Sequence, residues 1–182
     1  PLSTLKSLYE KALSFDDVIG LSIGTRTDCV TDEILDFLYE KSKEKEIWIE
    51  YGIQSFFQAT LDKINRADDV ENMRYWIRRT KEKGLNVCGH LIYGLPDENQ
   101  EMMLETFKQT IDLKVDSIKF HPLYVVKNTL LTNEFKKGRF NPISEELYID
   151  TVVQSIINLP QNVSVQRVTA GIDDDTLLSP LW

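Results

Sequence analysis

Cysteine and histidine are scarce in this 182-residue sequence, and long apolar runs are missing from it. Only Cys29 and Cys88 occur, 59 positions apart, which excludes a disulfide framework and a metal site of the Cys-x-x-Cys type. The two histidines, His90 and His121, are by themselves too few for a metal site or a catalytic triad. No apolar run approaches the roughly 18 residues of a membrane span, and the opening PLSTLKSLYE lacks the apolar core of a signal peptide. We therefore expect a cytoplasmic protein with no membrane partner.

Positive charge is also in the minority, with 21 Lys and Arg against 29 Asp and Glu and a formal net charge of −8. This excess repels polyphosphates and argues against broad, non-specific binding to nucleic acid or anionic membranes, although it leaves room for a local basic groove. The sequence contains no Ser-His-Asp arrangement, no P-loop and no GxGxxG motif. Its 42% apolar content suffices for a sizeable core, and we expect residues 1–182 to form a single domain.

Apolar runs rich in β-branched residues alternate with segments of helical spacing. Such runs predict strands, and their regular separation by helices predicts parallel strands joined by right-handed helical crossovers. The five predicted strands are residues 18–23 (VIGLSI), 47–53 (IWIEYGI), 85–93 (LNVCGHLIY), 115–120 (VDSIKF) and 163–168 (VSVQRV).

The predicted helices carry recognisable capping signals. Thr31 and Ser144 are expected N-caps, and Asp97 with Gln100 three residues later resembles a capping box. The last predicted helix carries Ile149, Val152, Val153 and Ile156, and the helix before it has a buried stripe of Met103, Phe107 and Ile111.

Two α/β architectures fit this alternation, a doubly wound open sheet and a partial (β/α) barrel. A closed eight-stranded barrel typically takes about 250 residues, whereas this chain offers five strands in 182 residues. In both architectures the ligand site lies at the carboxyl ends of the parallel strands. The sequence therefore directs attention to the residues that end each strand.

Polar or conformationally special residues follow every predicted strand. Gln54 ends the second strand, and an unpaired amide there would cost about 1 to 3 kcal/mol, so it needs a partner. Arg66 follows twelve residues later, and His90 lies inside the third strand. Taken alone, these residues also fit structural roles: a backbone or water partner for Gln54, a solvated helix end for Arg66 and a satisfied core side chain for His90.

Several stretches resemble the second half of radical S-adenosylmethionine (radical SAM) enzymes. IEYGIQSFFQATLDKINR, followed by a helix and LIYGLPDE, is similar to the oxygen-independent coproporphyrinogen oxidase and elongator-type branch. GLSIGTRTD, HPLYVVKNT and TLLSPLW resemble more closely a poorly characterised bacterial subfamily of that branch. The resemblance extends from about residue 18 to residue 182. It implies a partial six-stranded (β/α) barrel, of which this chain would supply about four to five βα units.

The resemblance also implies a cofactor site for S-adenosylmethionine at the strand carboxyl ends. Gln54 and Arg66 match positions that bind the ribose and carboxylate regions of the cofactor. His90 falls where related enzymes carry an Asp near the ribose. The other implied cofactor-binding residues are Ser55 within the GIQSF motif, Leu123 beside the adenine, Gly24 in place of an acidic contact residue, and Arg26, which can contribute instead of that acid.

Family chemistry further requires three cysteines, spaced Cys-x3-Cys-x2-Cys, to hold a [4Fe-4S] cluster, and this sequence lacks them. We therefore expect a C-terminal portion of a radical SAM core that is inactive alone and has no metal ligands of its own. The intact enzyme would use S-adenosylmethionine, the cluster, an external electron donor and an unknown substrate, either a small molecule or tRNA.

Two alternatives stay open at this point. One is a degenerate (β/α) barrel that binds RNA or a protein partner without chemistry. The other is a conventional (β/α) lyase or aldolase, which needs a catalytic lysine or a metal-binding carboxylate cluster at a strand end. Lys119 is the only lysine inside a predicted strand, and an unpaired Lys119 facing the barrel interior would favour the lyase.

Overall fold

Strands and helices alternate along most of the chain, as the sequence predicts. The computed structural model describes residues 2–171 and 175–182. Its helices are α1 (Leu2–Leu13), α2 (Asp32–Ser42), α3 (Gln58–Lys63), α4 (Val70–Glu82), α5 (Gln100–Asp112), α6 (Leu130–Lys136) and α7 (Glu145–Ile157). Its strands are β1 (Gly20–Thr25), β2 (Glu46–Gln54), β3 (Asn86–Tyr93), β4 (Ser117–Pro122), β5 (Val125–Val126), β6 (Ser164–Arg167) and β7 (Leu177–Ser179).

Five of these strands form one parallel sheet in the order β1-β2-β3-β4-β6. The spatial order follows the chain order without a reversal, so successive right-handed crossovers place their helices on the same face of the sheet. A doubly wound sheet would instead reverse its strand order and carry helices on both faces. The chain is therefore singly wound, like a segment of a (β/α) barrel, and within the described residues the sheet does not close.

The face that packs against the helices, called the helix-covered face, holds the main core. Alternate residues of β2 point to this face, and Ile47, Ile49, Tyr51 and Ile53 are at most 1% exposed. The Tyr51 hydroxyl lies 2.8 Å from Thr80 Oγ1 of α4, so the polar tip of this buried ring is satisfied. Burial of these side chains stabilises the sheet against its helices.

A second, two-stranded sheet joins β5 to β7 in antiparallel orientation. The Lys127 N–H donates to the Thr176 carbonyl at 2.8 Å beside this pair. Sequence reasoning gave no strand at either segment, because runs of two and three residues carry no readable periodicity. The pairing holds residues 177–179 next to the loop that leaves β4.

The N-terminus of α5 corrects one prediction. Asn99, not Asp97, is the N-cap, and its side chain accepts a hydrogen bond from the Met102 N–H at 2.9 Å. Asp97 has a positive φ of 67° and pairs with Lys63 at the rim. The turn after Leu95 delays the start of the helix by two residues, so the expected capping box does not form.

The apolar residues of α7 differ in burial. Val152 is buried, whereas Ile149, Val153 and Ile156 are 51%, 45% and 40% exposed. Small hydroxyl side chains occupy the buried side instead. Ser155 donates to the Thr151 carbonyl at 2.8 Å and meets the buried Tyr93 hydroxyl at 2.8 Å. Because these hydroxyl groups form hydrogen bonds within the core, small polar residues can occupy the buried side of the helix.

None of the helices in the described part of the chain combines the length and the apolar character needed to cross a membrane.

Candidate functional site

The open face of the sheet, opposite the helix-covered face, brings most of the predicted site residues together. Parallel pairing places Gly24 beside Glu50 and Gly52 beside His90. Gln54 is the last residue of β2, and Leu123 follows β4, with its N–H donating to the Tyr93 carbonyl at 2.9 Å. The carboxyl ends of β1 to β4 thus form one rim, as expected of parallel strands.

Arg66 reaches this rim from the loop between α3 and α4. Its Nη2 donates to the Gly52 carbonyl at 2.6 Å, which fixes the guanidinium against the end of β2. Its Nε is buried and has no hydrogen-bond partner. Burial, followed by repulsion from Arg26, lowers the pKa of Arg66. A buried N–H without an acceptor is costly, so this donor is suited to an incoming ligand.

Gln54 lies at an irregular position in the pairing of β2 with β3. The β2–β3 register shifts between Gly52 and Gln54, and Gln54 has a φ of 68°, in the left-handed region that few non-glycine residues adopt. The side chain is half-buried, and in residues 2–171 and 175–182 no protein group hydrogen-bonds its amide. The protein partner considered from the sequence is therefore absent from this described part.

The ends of β1 and β2 show how the remaining predicted residues are used. A Cβ built on Gly24 would meet no atom within 4 Å, so this position borders open space. Arg26 is paired with Asp28, and its Nη2 also lies 3.4 Å from the Ala67 carbonyl. The Ser55 hydroxyl donates to Glu98 and accepts from the Phe57 N–H, so the protein itself uses it. Its predicted cofactor contact stays a prediction.

A charged network centred on Glu50 lies on the same open face and was missed from the sequence. Both Glu50 carboxylate oxygens lie 2.6 Å from Lys119 Nζ, Oε2 lies 2.7 Å from His90 Nε2, and Ser22 donates to Oε1. Burial opposes ionisation of Glu50, but hydrogen bonds from Lys119 and Ser22 outweigh it and lower the pKa to about 2. Glu50 is therefore a carboxylate at neutral pH.

His90 takes its protonation state from this network. Burial lowers its pKa, although the hydrogen bond to Glu50 opposes the shift, so the ring is neutral at pH 7. Because the ionised Glu50 only accepts hydrogen bonds, the His90 Nε2 carries the proton. Its Nδ1 is then a lone-pair acceptor on the open face.

One signal in the sequence could have revealed Glu50. It stands alone among the apolar residues of IWIEYGI, where alternation places it on the face opposite Ile49 and Tyr51. Lys119, by contrast, is paired with Glu50. It is not the unpaired interior lysine that the lyase alternative requires, so that alternative loses its support.

Neither cysteine offers a site for an iron–sulfur cluster. Cys29 is exposed, while Cys88 is buried, and burial raises the pKa of the Cys88 thiol to about 11. Within residues 2–171 and 175–182, no group of three or more His, Cys, Asp or Glu side chains is arranged to hold a metal ion. The donor set of this chain does not fit a [4Fe-4S] cluster, which needs several thiolates.

Family models match almost the whole chain. Residues 3–110 match the Radical SAM superfamily, and residues 115–182 match the Radical_SAM C-terminal domain. Protein YhcC of Escherichia coli K12 is 39% identical over all 182 residues, which span 59% of its length. A tRNA uridine(34) acetyltransferase of Methanocaldococcus jannaschii is 30% identical over 85% of this chain, which corresponds to 28% of that protein. The chain thus spans less than two thirds of these relatives.

Solved structures show the same architecture. Archaeal Elp3 from Methanocaldococcus infernus superposes with a TM-score of 0.79 at 26% identity, covering 88% of this chain and 38% of that one. Coproporphyrinogen III oxidase (HemN) from Escherichia coli, a radical SAM enzyme, gives a TM-score of 0.63 at 22% identity over 88% of this chain and 36% of its own. The second likeness supports the fold alone.

Proposed function

The chain belongs to the radical SAM superfamily, and on that basis we propose that the carboxyl ends of its strands bind S-adenosylmethionine. The whole protein, in this proposal, cleaves the cofactor reductively and performs radical chemistry on its substrate. When bound at a reduced [4Fe-4S] cluster, S-adenosylmethionine supplies an adenosyl radical. This chain contributes binding and orientation, which is the usual share of the protein in cofactor chemistry.

The observation that carries the proposal is the buried Nε of Arg66, which has no hydrogen-bond partner, on a guanidinium held at Gly52, two residues before Gln54. A guanidinium with an unused N–H suits the carboxylate of the cofactor, because charge-assisted hydrogen bonds to carboxylates are strong. The Gln54 amide has both a donor and an acceptor for ribose hydroxyls. The open space at Gly24, on the neighbouring strand β1, leaves room for a ligand.

His90 fits this site through its acceptor. Related enzymes carry an Asp near the ribose at the corresponding position, and an ionised Asp can only accept hydrogen bonds. The Glu50 carboxylate, 2.7 Å from Nε2, leaves Nδ1 of His90 as the acceptor. We therefore propose that His90 accepts a hydrogen bond from a ribose hydroxyl, as the Asp does in the related enzymes. Leu123 supplies an apolar contact for the adenine, and Arg26 a second cation at the rim.

The cluster ligands and the electron donor belong to the whole protein in this proposal, because the residues of this chain do not fit a [4Fe-4S] cluster. The roles proposed for Gln54, Arg66 and His90 are to bind and orient S-adenosylmethionine. They do not depend on any reaction at the iron–sulfur cluster. The expected affinity of this chain alone for S-adenosylmethionine is weak, since the cluster that chelates the cofactor in the family is not supplied by these residues.

Two substrate classes suit the proposal, a small molecule and a nucleoside of tRNA. The tRNA uridine(34) acetyltransferase among the relatives supports the second. The net charge of −8 opposes extended contact with an RNA backbone. A single nucleoside turned out of its RNA and into the site satisfies both observations, because it needs few phosphate contacts.

Titration of the ¹⁵N-labelled chain with S-adenosylmethionine, followed by NMR, tests the cofactor site. We expect weak, saturable shifts of the Gln54 side-chain amide and the Arg66 Nε–H. Arg66→Gln should abolish both, whereas Arg78→Gln, which removes an exposed guanidinium from α4, should change neither. Shifts that are scattered over the surface and persist in Arg66→Gln would contradict the proposed site, and so would tight binding by the chain alone.

A further inference from the structure

Arg167, the last residue of β6, carries a charge that no ion pair in the described part of the chain balances. Its Cα pairs with that of Lys119 across the β4–β6 register, and Lys119 pairs with His90 of β3, so Arg167 lies level with these two residues and below the carboxyl-end rim. Its Nε is buried and has no hydrogen-bond partner. No carboxylate in the described ranges 2–171 and 175–182 forms an ion pair with it. An N–H of this kind, buried without an acceptor, is expensive to maintain.

The groups around Arg167 do not compensate for it. Lys119 and Glu50 neutralise each other through two contacts of 2.6 Å. The pKa values of His90 and His121 are lowered, chiefly by burial and further by the charge of Arg167, so both rings are neutral at pH 7. This side of the open face therefore keeps one net positive charge, in a chain whose overall charge is −8.

The position of Arg167 is also fixed before any ligand arrives. The buried Tyr148 donates its hydroxyl to the Val168 carbonyl at 2.7 Å, which holds the end of β6 against α7. The guanidinium on this backbone is a planar fork of donors, which suits a planar carboxylate or a phosphate. The free Nε–H is one arm of that fork.

We infer that Arg167 binds an anionic group of the substrate, a carboxylate or a phosphate, at the β4–β6 side of the open face. The inference rests on the proposed function. The cofactor residues Gln54 and Arg66 lie at β2, and β6 is three strand spacings away, or about 14 Å. A substrate whose anion is held at Arg167 can therefore extend its reacting part toward the cofactor without competing for Arg66.

Inorganic phosphate and acetate are the probes for this site, each titrated into the ¹⁵N-labelled chain at constant ionic strength. We expect a saturable shift of the Arg167 Nε–H with at least one of the two. A tighter response to phosphate identifies a phosphorylated substrate, and a tighter response to acetate identifies a carboxylate. A non-saturable drift of the Arg167 signal with both anions, matching that of the exposed Arg78, would overturn the inference.

Substitutions separate this site from that of the cofactor. Arg167→Gln should weaken anion binding about tenfold or more, the effect of losing a charge-assisted hydrogen bond. Arg167→Lys keeps the positive charge and should retain part of the anion binding, which shows that the site still folds. Arg78→Gln is the matched control at an exposed arginine. S-adenosylmethionine shifts at Gln54 should survive in Arg167→Gln. If they vanish there as in Arg66→Gln, Arg167 belongs to the cofactor site and the inference fails while the proposed function stands. If cofactor shifts are absent from the unsubstituted chain, it is the proposed function that fails.

Discussion

The two faces of the five-stranded sheet are built by alternate residues of the same strands, yet they have different properties. On β2, Ile49 and Tyr51 face the helices and are at most 1% exposed. Glu50 and Gln54, between and beyond them, face the open side. The helix-covered face satisfies its polar atoms within the protein, as Tyr51 does with Thr80.

The open face, in contrast, leaves donors without acceptors. Among the described residues, the Nε atoms of Arg66 and Arg167 are both buried and unpartnered; Arg66 is held at Gly52 near the end of β2, and Arg167 lies level with Lys119. Such groups are unusual, since proteins pair nearly all buried polar atoms. One face of the sheet thus satisfies its polar atoms within the fold, while the described part of the open face holds two buried donors that no protein group accepts.

The largest expected effect comes from the helix-covered face. Phe120 of β4 is fully buried, with its ring centroid 5.5 Å from that of Tyr93 and 6.3 Å from that of Phe107. Phe120→Ala should lower the free energy of unfolding by about 3 to 5 kcal/mol, because it removes apolar contact and leaves a cavity. Phe15→Ala, which truncates a ring that is 59% exposed, should cost far less in the same urea titration. Equal losses of unfolding free energy in the two variants would contradict the assignment of the main core to the helix-covered face.

The ion pair on the open face should contribute less than this core. The side chains of Lys119 and Glu50 are 18% and 10% exposed. Lys119→Met should cost about 2 to 3 kcal/mol, since it strands a carboxylate in a poorly hydrated position. Adding Glu50→Gln should recover part of that loss. Urea unfolding of the four proteins in the double-mutant cycle measures the coupling, and additivity within about 0.5 kcal/mol would show that the pair is not coupled.

Lowering the pH should reduce the stability that Glu50 contributes on the open face. The folded-state pKa of Glu50 is lowered from 4.5 to about 2, so its stabilisation is complete above pH about 4.5 and is lost as the pH falls toward 2. Its size is on the order of 2 kcal/mol. Unfolding free energies measured between pH 5 and pH 2 should therefore fall less steeply in Glu50→Gln.

Histidine supplies an internal control for that measurement. The pKa values of His90 and His121 are lowered from 6.5 in the folded state. Unfolded chains therefore bind these protons first, and stability should already decline as the pH drops below about 6.5. This higher window should persist in Glu50→Gln. An unchanged slope between pH 4.5 and pH 2 in that variant would contradict the ionised state of Glu50.

The smallest effect concerns the cap of α5, which supports the helix-covered face. Asn99→Ala should cost about 1 kcal/mol, because it removes the acceptor for the Met102 N–H. Asp97→Gly should be nearly neutral, since glycine adopts the positive φ of this position and the change removes only an exposed pair with Lys63. Thermal unfolding of the two variants compares them directly, and a larger loss in Asp97→Gly would restore the capping role expected from the sequence.

Sequence reasoning located the elements of the fold well and the network of the site poorly. Thr31 and Ser144 are N-caps as predicted, with side chains that accept from Ile34 N and Leu147 N. The sequence predicted helix α7 but not the exposure of Ile149, because which side of a helix is buried depends on its neighbours as well as on its apolar periodicity. The Glu50 network escaped notice because its members are far apart in the chain.

By itself, the sequence determined the alternation of strands and helices, the α/β class and the family. Apolar periods and capping residues act over a few positions, and the family motifs are short, so both can be read along the chain. Only the tertiary structure decided which polar side chains meet. Glu50 contacts residues 28, 40 and 69 positions away. Such contacts depend on the register of parallel strands, which is set by helices packing across the whole sheet and not by any local pattern.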